Sequence, residues 1–193
     1  GFAVSQKQKN IAELHQAAER QGVFPVLEIS TKSPDEVGRR LSAFNLKIEI
    51  DGKMLPLESV YQGCKVFTES GQHEQLMYED PFKAKKMIRS LGVGVIEAFN
   101  LRGVDYPTKP KNAFYDWLYL KAIAPHEEWI KRNLNFKACS DIEFSPSKSF
   151  NCQGRAVAEF HALSLRGITM DCVKNFDYFA DMLAYSQRDQ FED

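Results

Sequence analysis

Three residues in the segment LESVYQGCKVF, residues 57–67, have the clearest chemical potential: Glu58, Gln62 and Lys65. If the segment is helical, they fall at i, i+4 and i+7 and share one stripe. Leu57, Val60, Tyr61, Cys64 and Phe67 then form the apolar stripe beside it. A carboxylate and an amine two turns apart suit the wall of a cleft. The carboxylate can stabilise an oxocarbenium-like centre or handle protons. A lysine whose pKa is lowered by desolvation can attack a sugar C1. The same spacing also fits an ordinary solvated helix face, and spacing alone does not choose between the two. Gly63 sits in mid-helix, where it costs about 1 kcal/mol relative to alanine. It marks a point where something can approach the helix closely.

Several elements must position this segment. LKIEI-DG-KMLPL, residues 46–57, alternates apolar residues around Asp51-Gly52 and predicts a hairpin. Upstream, residues 5–21 read as a helix with a Ser5/Gln8 capping box and a stop at Gly22. VFPVLEIS, residues 23–30, is β-leaning, and Ser33-Pro34-Asp35-Glu36 predicts a helix capped by Ser33 and running to about Ser42. Gly71 closes the region after the 57–67 segment, and Asp80-Pro81 caps the helix FKAKKMIRSL. Asn112 caps AFYDWLYLKAIA, and HEEWIKRNL, residues 126–134, continues helical. Residues 138–152 read as irregular, with a short strand at DIEF. Two helices close the chain, at 153–166 and 171–184, separated by Gly167. The acidic run from Asp189 to Asp193 is expected to fray. The expected fold is mainly α (α+β), one compact helical domain with a small β-hairpin element. Residues 1–30 form an N-terminal helix-and-strand extension packed on a core of residues 31–193.

Composition narrows the function classes. With 44% hydrophobic and 26% charged residues, the 193-residue chain has the balance of a soluble globular protein able to bury a real core. Its 25 basic and 26 acidic residues give a formal net charge of −1. That argues against gripping long nucleic acid through many phosphates, but not against one nucleotide or a short modified strand. Cys64, Cys139, Cys152 and Cys172 form no CxxC pair, and the four histidines form no HExxH pattern, so no metal and no cofactor is expected. Four scattered thiols fit a reducing cytoplasm. The sequence shows no signal-peptide pattern and no apolar run of transmembrane length, so no membrane partner is expected. The start at Gly1-Phe2, without methionine, fits a piece of a longer protein.

The segment LSAFNLKIEIDGKMLPLESVYQGCKVF, residues 41–67, resembles the signature of the NADAR superfamily: an L/F-S-N-F-like start, a DG hairpin, then an E-H-x-Y/F-Q-x-x-K-F-like helix. Glu58, Tyr61, Gln62 and Lys65 all stand at matching positions. PFKAKKMIRSLG, residues 81–92, is similar to the family's A-K-x-x-G-R helix, and DIEFSPSKSFNCQGRA, residues 141–156, to its L-V-E-x-S-P segment. SQKQKNIAEL, LEISTKS and KNAFYDWLY resemble the branch of NADAR antitoxins paired with DarT-type toxins, which ADP-ribosylate guanine in DNA.

This resemblance implies an N-glycosidase that strips ADP-ribose from guanine bases in DNA or in a nucleotide, with a DarT-type toxin as possible partner. It implies Glu58, Lys65 and Glu143 as catalytic candidates, with Glu58 and Lys65 competing for the central role. Substrate-binding candidates are Lys32, Ser42, Asn45, Tyr61, Gln62, Gln153 and Arg155. Lys32 is a candidate because it precedes a helix start that favours phosphate, and Arg155 because its planar fork suits a diphosphate. Where the family has Trp-Gly after the L-V-E-x-S-P segment, this chain has Asn151-Cys152-Gln153-Gly154, so base recognition must differ, with Trp117, Tyr115 and Phe150 as candidates to substitute for the missing Trp. Two other readings remain: an N-glycosidase for a small riboflavin-pathway nucleotide, and a non-catalytic module that holds ADP-ribose or clamps a toxin.

Overall fold

The computed structural model describes residues 3–188 apart from 134, 146 and 148, with side chains to residue 184. Leu134, at the end of the helix expected over 126–134, and the acidic run 189–193 lie outside the described residues.

Helix α1 (Val4–Arg20) stops where Gly22 adopts φ +78°. The Gly22 and Val23 amides fold back onto the Glu19 and Ala18 carbonyls, satisfying groups the helix leaves open. Its start differs from expectation. The helix already includes Ser5, so the Ser5/Gln8 capping box does not form and Ala3 offers no side-chain cap. Strand β1 (Val26–Glu28) follows, then helix α2 (Glu36–Arg40). The helix expected from Ser33 is thus only five residues long. Pro34 biases Ser33 away from helical dihedrals, and the Ser33 hydroxyl instead accepts the Asp35 amide in a local turn.

Strands β2 (Lys47–Ile50) and β3 (Lys53–Pro56) form the expected hairpin, with Asp51 and Gly52 both at positive φ as a two-residue turn between twisted strands requires. Helix α3 (Leu57–Cys64) follows without a loop, then strands β4 (Lys65–Phe67) and β5 (Gly71–Gln72) and a 3-10 turn over Glu74–Tyr78. Helix α4 (Pro81–Leu91) is capped by the Asp80 carboxylate, which accepts the Phe82 and Lys83 amides. Strands β6 (Ile96–Leu101) and β7 (Val104–Tyr106) complete an antiparallel sheet of order β5-β4-β6-β7. This sheet adds to the single hairpin expected. Its β6–β7 turn rests on Arg102 and Gly103, both at positive φ.

Helices α5 (Ala113–Ile123) and α6 (Glu127–Asn133), strand β8 (Ala138–Ser140), and helices α7 (Gln153–Leu165), α8 (Thr169–Lys174) and α9 (Phe176–Arg188) finish the chain. Strand β8 pairs in parallel with β1, so the strand expected at DIEF starts three residues earlier, at Ala138. The cause is Glu28: its buried carboxylate accepts the Ser140 hydroxyl and the Ile142 amide, taking the chain out of the ladder after residue 140. The last expected helix is split at Asn175, which is extended and accepts the Tyr178 amide as a new cap.

The fold is a mainly helical α+β arrangement around α5, an apolar helix buried at every position but Lys121. Its Asn112 side chain donates to Asp116 rather than capping the backbone. Helix α3 lies beside α5 and is buried on all sides. Among the described residues, no helix is long and apolar enough to cross a membrane.

Candidate active site

Helix α3 ends at Cys64, and Lys65 turns into strand backbone at φ −65° and ψ 128°. Glu58, Gln62 and Lys65 therefore do not share one helix face as their spacing predicts. Two sit on the helix, and Lys65 sits at its junction with β4, fixed by pairing with Phe99. A ladder forms nonetheless. The Lys65 ammonium donates to Gln62 Oε1 at 2.6 Å, and Gln62 Nε2 donates to Glu58 Oε1 at 2.8 Å. Lysine carries donors only and an ionised carboxylate acceptors only, so the amide between them has a single workable orientation. Glu58 and Gln62 are each only 3% exposed, which excludes a solvated helix face.

The close approach marked by Gly63 comes from within the protein. A Cβ there would lie 2.5 Å from Met77 Cγ and 2.8 Å from the Met77 amide nitrogen. The 3-10 turn thus packs directly on α3 and sets its position.

Electrostatics distinguish the ladder's members. Burial lowers the Lys65 pKa to about 8; the Glu58 charge opposes this and Lys85 adds to it. Lys85 Nζ lies 3.3 Å from Glu58 Oε1, so Gln62 and Lys85 bracket the carboxylate. The Lys65 ammonium sits 4.7 Å from the centre of the Tyr61 ring. Burial holds the Tyr61 phenol far above its ordinary pKa, so it stays protonated, and its oxygen accepts Asn151 Nδ2 at 2.8 Å.

The ladder lines a cleft of about 680 Å³. Across it, burial pushes Asp141 up to about 6, against the pull of the Gln153 amide 2.8 Å away. Gln153 is buried and committed to the protein: its Oε1 accepts the Ser42 hydroxyl and the Ala43 amide. Glu143 lines both this cleft and the one adjoining it, and lies 3.8 Å from Lys7. Tyr115 and the exposed Phe150 also line the cleft. The Lys111 ammonium lies 4.1 Å from the Phe150 ring centre. Trp117 does not line it; its indole donates to the Cys172 carbonyl inside the core.

Other expected ligands lie elsewhere. Ser42 is buried beneath the wall, spent on Gln153. Asn45 is exposed and closes its own turn by donating to the Arg39 carbonyl. Arg155 pairs with Asp116 at 2.9 Å and Glu159 at 3.3 Å, joining α5 to α7 outside the cleft. Lys32 lines an adjoining outer cleft, and the helix start invoked for it is absent because α2 begins at Glu36.

The sequence reading missed Phe44, Lys85, Arg89, Asp141 and Asn151, all of which line the main cleft. All five lie in the segments that carry the family resemblance, Phe44 in 41–67, Lys85 and Arg89 in 81–92, and Asp141 and Asn151 in 141–156. Lys85 and Arg89 stand at the A-K-x-x-G-R positions of the segment 81–92, with Ile88 where the family has glycine. Among the described residues, no cluster of three or more His, Cys, Asp or Glu side chains could hold a metal ion.

The Asp51-Gly52 hairpin thus leads straight into a buried carboxylate–amide–amine ladder. The chain matches the family model of the DarT1-associated NADAR antitoxin over residues 1–193, its whole length, and belongs to that family. No curated protein matches it significantly.

Proposed function

We propose that this protein is an ADP-ribosyl N-glycosidase that removes ADP-ribose from guanine bases in DNA, reversing the modification made by a DarT-type toxin. The observation that carries this reading is the Glu58–Gln62–Lys65 ladder on the floor of the cleft. Family membership supplies the link to the toxin. Four free thiols fit action in the reducing cytoplasm.

The reaction consumes water and yields ADP-ribose and unmodified guanine. With its pKa near 8, Lys65 holds roughly a tenth of its population as free amine at pH 7. Gln62 Oε1 fixes one N–H of that amine. The lone pair attacks ribose C1 as the bond to the base nitrogen breaks; the bonding electrons pass to that nitrogen, which takes up a proton. Loss of the amine proton and opening of the sugar ring give a Schiff base, and water hydrolyses it to free Lys65 and ADP-ribose. Glu58 stabilises positive charge developing at the sugar.

The test uses sub-stoichiometric protein and an ADP-ribosylated guanine oligonucleotide, with released ADP-ribose as readout. Multiple turnovers support the enzyme reading; one-to-one binding without release rejects it. Borohydride should trap an ADP-ribose adduct on the parent protein and none on Lys65→Ala. Turnover without a trapped adduct would move the central role to Glu58.

A further inference from the structure

Outside the catalytic cleft lies a second cleft of about 390 Å³. The two share Phe44, Lys85, Arg89, Glu143 and Gln153 as walls, so they are continuous. The outer cleft has its own cations, Lys7 and Lys32, and its own aromatic, Phe82. Phe82 is 59% exposed and stacks on Phe44, with ring centres 4.5 Å apart and planes 28° from parallel. The Lys85 ammonium stands 5.0 Å from the Phe44 ring centre. The exposed Phe82 ring lies among positive charges.

The charge balance is local. Four cations, Lys7, Lys32, Lys85 and Arg89, line the outer cleft against one acid, Glu143, on a chain whose formal net charge is −1. Lys7 is turned toward Glu143 and Lys85 toward Glu58. Among the described residues, Lys32 and Arg89 have no ion-pair partner. An open aromatic face flanked by unneutralised cations is the chemistry that holds single-stranded nucleic acid: bases stack on the rings while the cations track the phosphates.

The main cleft alone falls in the size range that houses a whole small ligand. The outer cleft extends that space past the Glu58–Gln62–Lys65 ladder, none of whose members lines it. We propose that the Phe44–Phe82 pair with Lys32 and Arg89 forms a subsite for the nucleotide next to the modified guanine, so that the protein reads a single strand of DNA. This rests on the proposed glycosidase reading for what occupies the main cleft. The stacking base lies on Phe82, and the phosphate joining it to the modified nucleotide lies between Lys32 and Arg89.

The test measures binding of a fluorescent, unmodified single-stranded oligonucleotide, which requires no glycosidase activity, so its failure and failure of the enzyme reading are distinguishable. Phe82→Ala should weaken binding roughly tenfold or more, as expected for loss of one stacked base. Lys32→Ala should weaken it at low salt and lower the slope of log Kd against log salt by about one. Lys9→Ala, on the exposed face of α1, should match the parent protein. Free ADP-ribose tests the competing source of a base. Under the proposal, the Phe82→Ala loss is seen for the strand and not for ADP-ribose. An equal loss for both would assign the aromatic pair to the adenine of ADP-ribose and overturn the inference. So would strand binding by Phe82→Ala and Lys32→Ala as tight as the parent's. Circular dichroism of both variants checks that they fold.

Discussion

Two of the buried charge clusters among the described residues differ in what they face. One is the Glu58–Gln62–Lys65 ladder with Lys85; the other is Asp116 with Asn112, Arg155 and Glu159 between α5 and α7. Both hold nearly sealed carboxylates, and Glu58 and Asp116 are 3% and 2% exposed. In the second cluster, burial pushes both carboxyls up, the nearby Arg155 opposes that, and none of the cluster's charged groups lines the cleft. In the first, an amine with lowered pKa ends the ladder at an open cleft. Burial of charge therefore does not by itself mark a reactive site. A perturbed group must also reach a space that substrate can enter.

Substitutions at the two clusters should separate chemistry from stability. The largest effect is expected from Lys65→Ala, with turnover reduced about a thousandfold or more and the borohydride adduct lost, since the nucleophile is removed. Residual turnover within tenfold of the parent's would erase the difference between the two clusters. Glu58→Gln should follow, with kcat lowered roughly a hundredfold. Comparing kcat with KM decides its role: a change in KM alone would make Glu58 a binding group. Arg155→Ala should act in the opposite sense, leaving kcat of the folded protein near the parent's. It should cost about 2 kcal/mol in denaturant unfolding, less than a sealed ion pair because the guanidinium keeps some solvent. A large loss of kcat at full stability would give the second cluster a role in the reaction.

The smallest effect is in pH. Lys65 reacts as the free amine and its pKa is lowered, so kcat should rise about tenfold per pH unit below pH 8 and level off above it. Glu58 raises the Lys65 pKa, so in Glu58→Gln the inflection should move below 8. An inflection that stays in place would uncouple the two ends of the ladder. For stability the sign is the same: a base with a depressed folded pKa contributes least when protonated. The Lys65 contribution should be complete above its ordinary value of 10.5 and be lost as pH falls through about 8.

What the sequence discloses of this site follows the range of each interaction. The Asp51-Gly52 turn, the Asp80 cap and the Gly22 stop depend on neighbouring residues, and all three formed as expected. The exit of Lys65 from α3 depends on β4 pairing with β6, more than thirty positions away, and helical spacing does not show it. Strand β8 likewise exists through β1, at the far end of the chain. Ser42 and Arg155 have side chains suited to a ligand, but each found a distant partner within the protein that its own sequence neighbourhood does not reveal, whereas Asn45 closes a local turn on Arg39. Lys85 joins the cleft from α4, Asp141 and Asn151 from the connection between β8 and α7, and only the fold brings the two segments together.

The contact between Gly63 and Met77 has a consequence for how this protein tolerates change. One added carbon at position 63 would meet the Met77 backbone and push α3, and with it Gln62, away from its seat. In a saturation library selected for survival against the toxin, position 63 should therefore score as intolerant as Lys65. A ranking by fitness alone would then count this glycine among the reacting groups, although it touches no substrate and owes its constancy to the thickness of one methyl group.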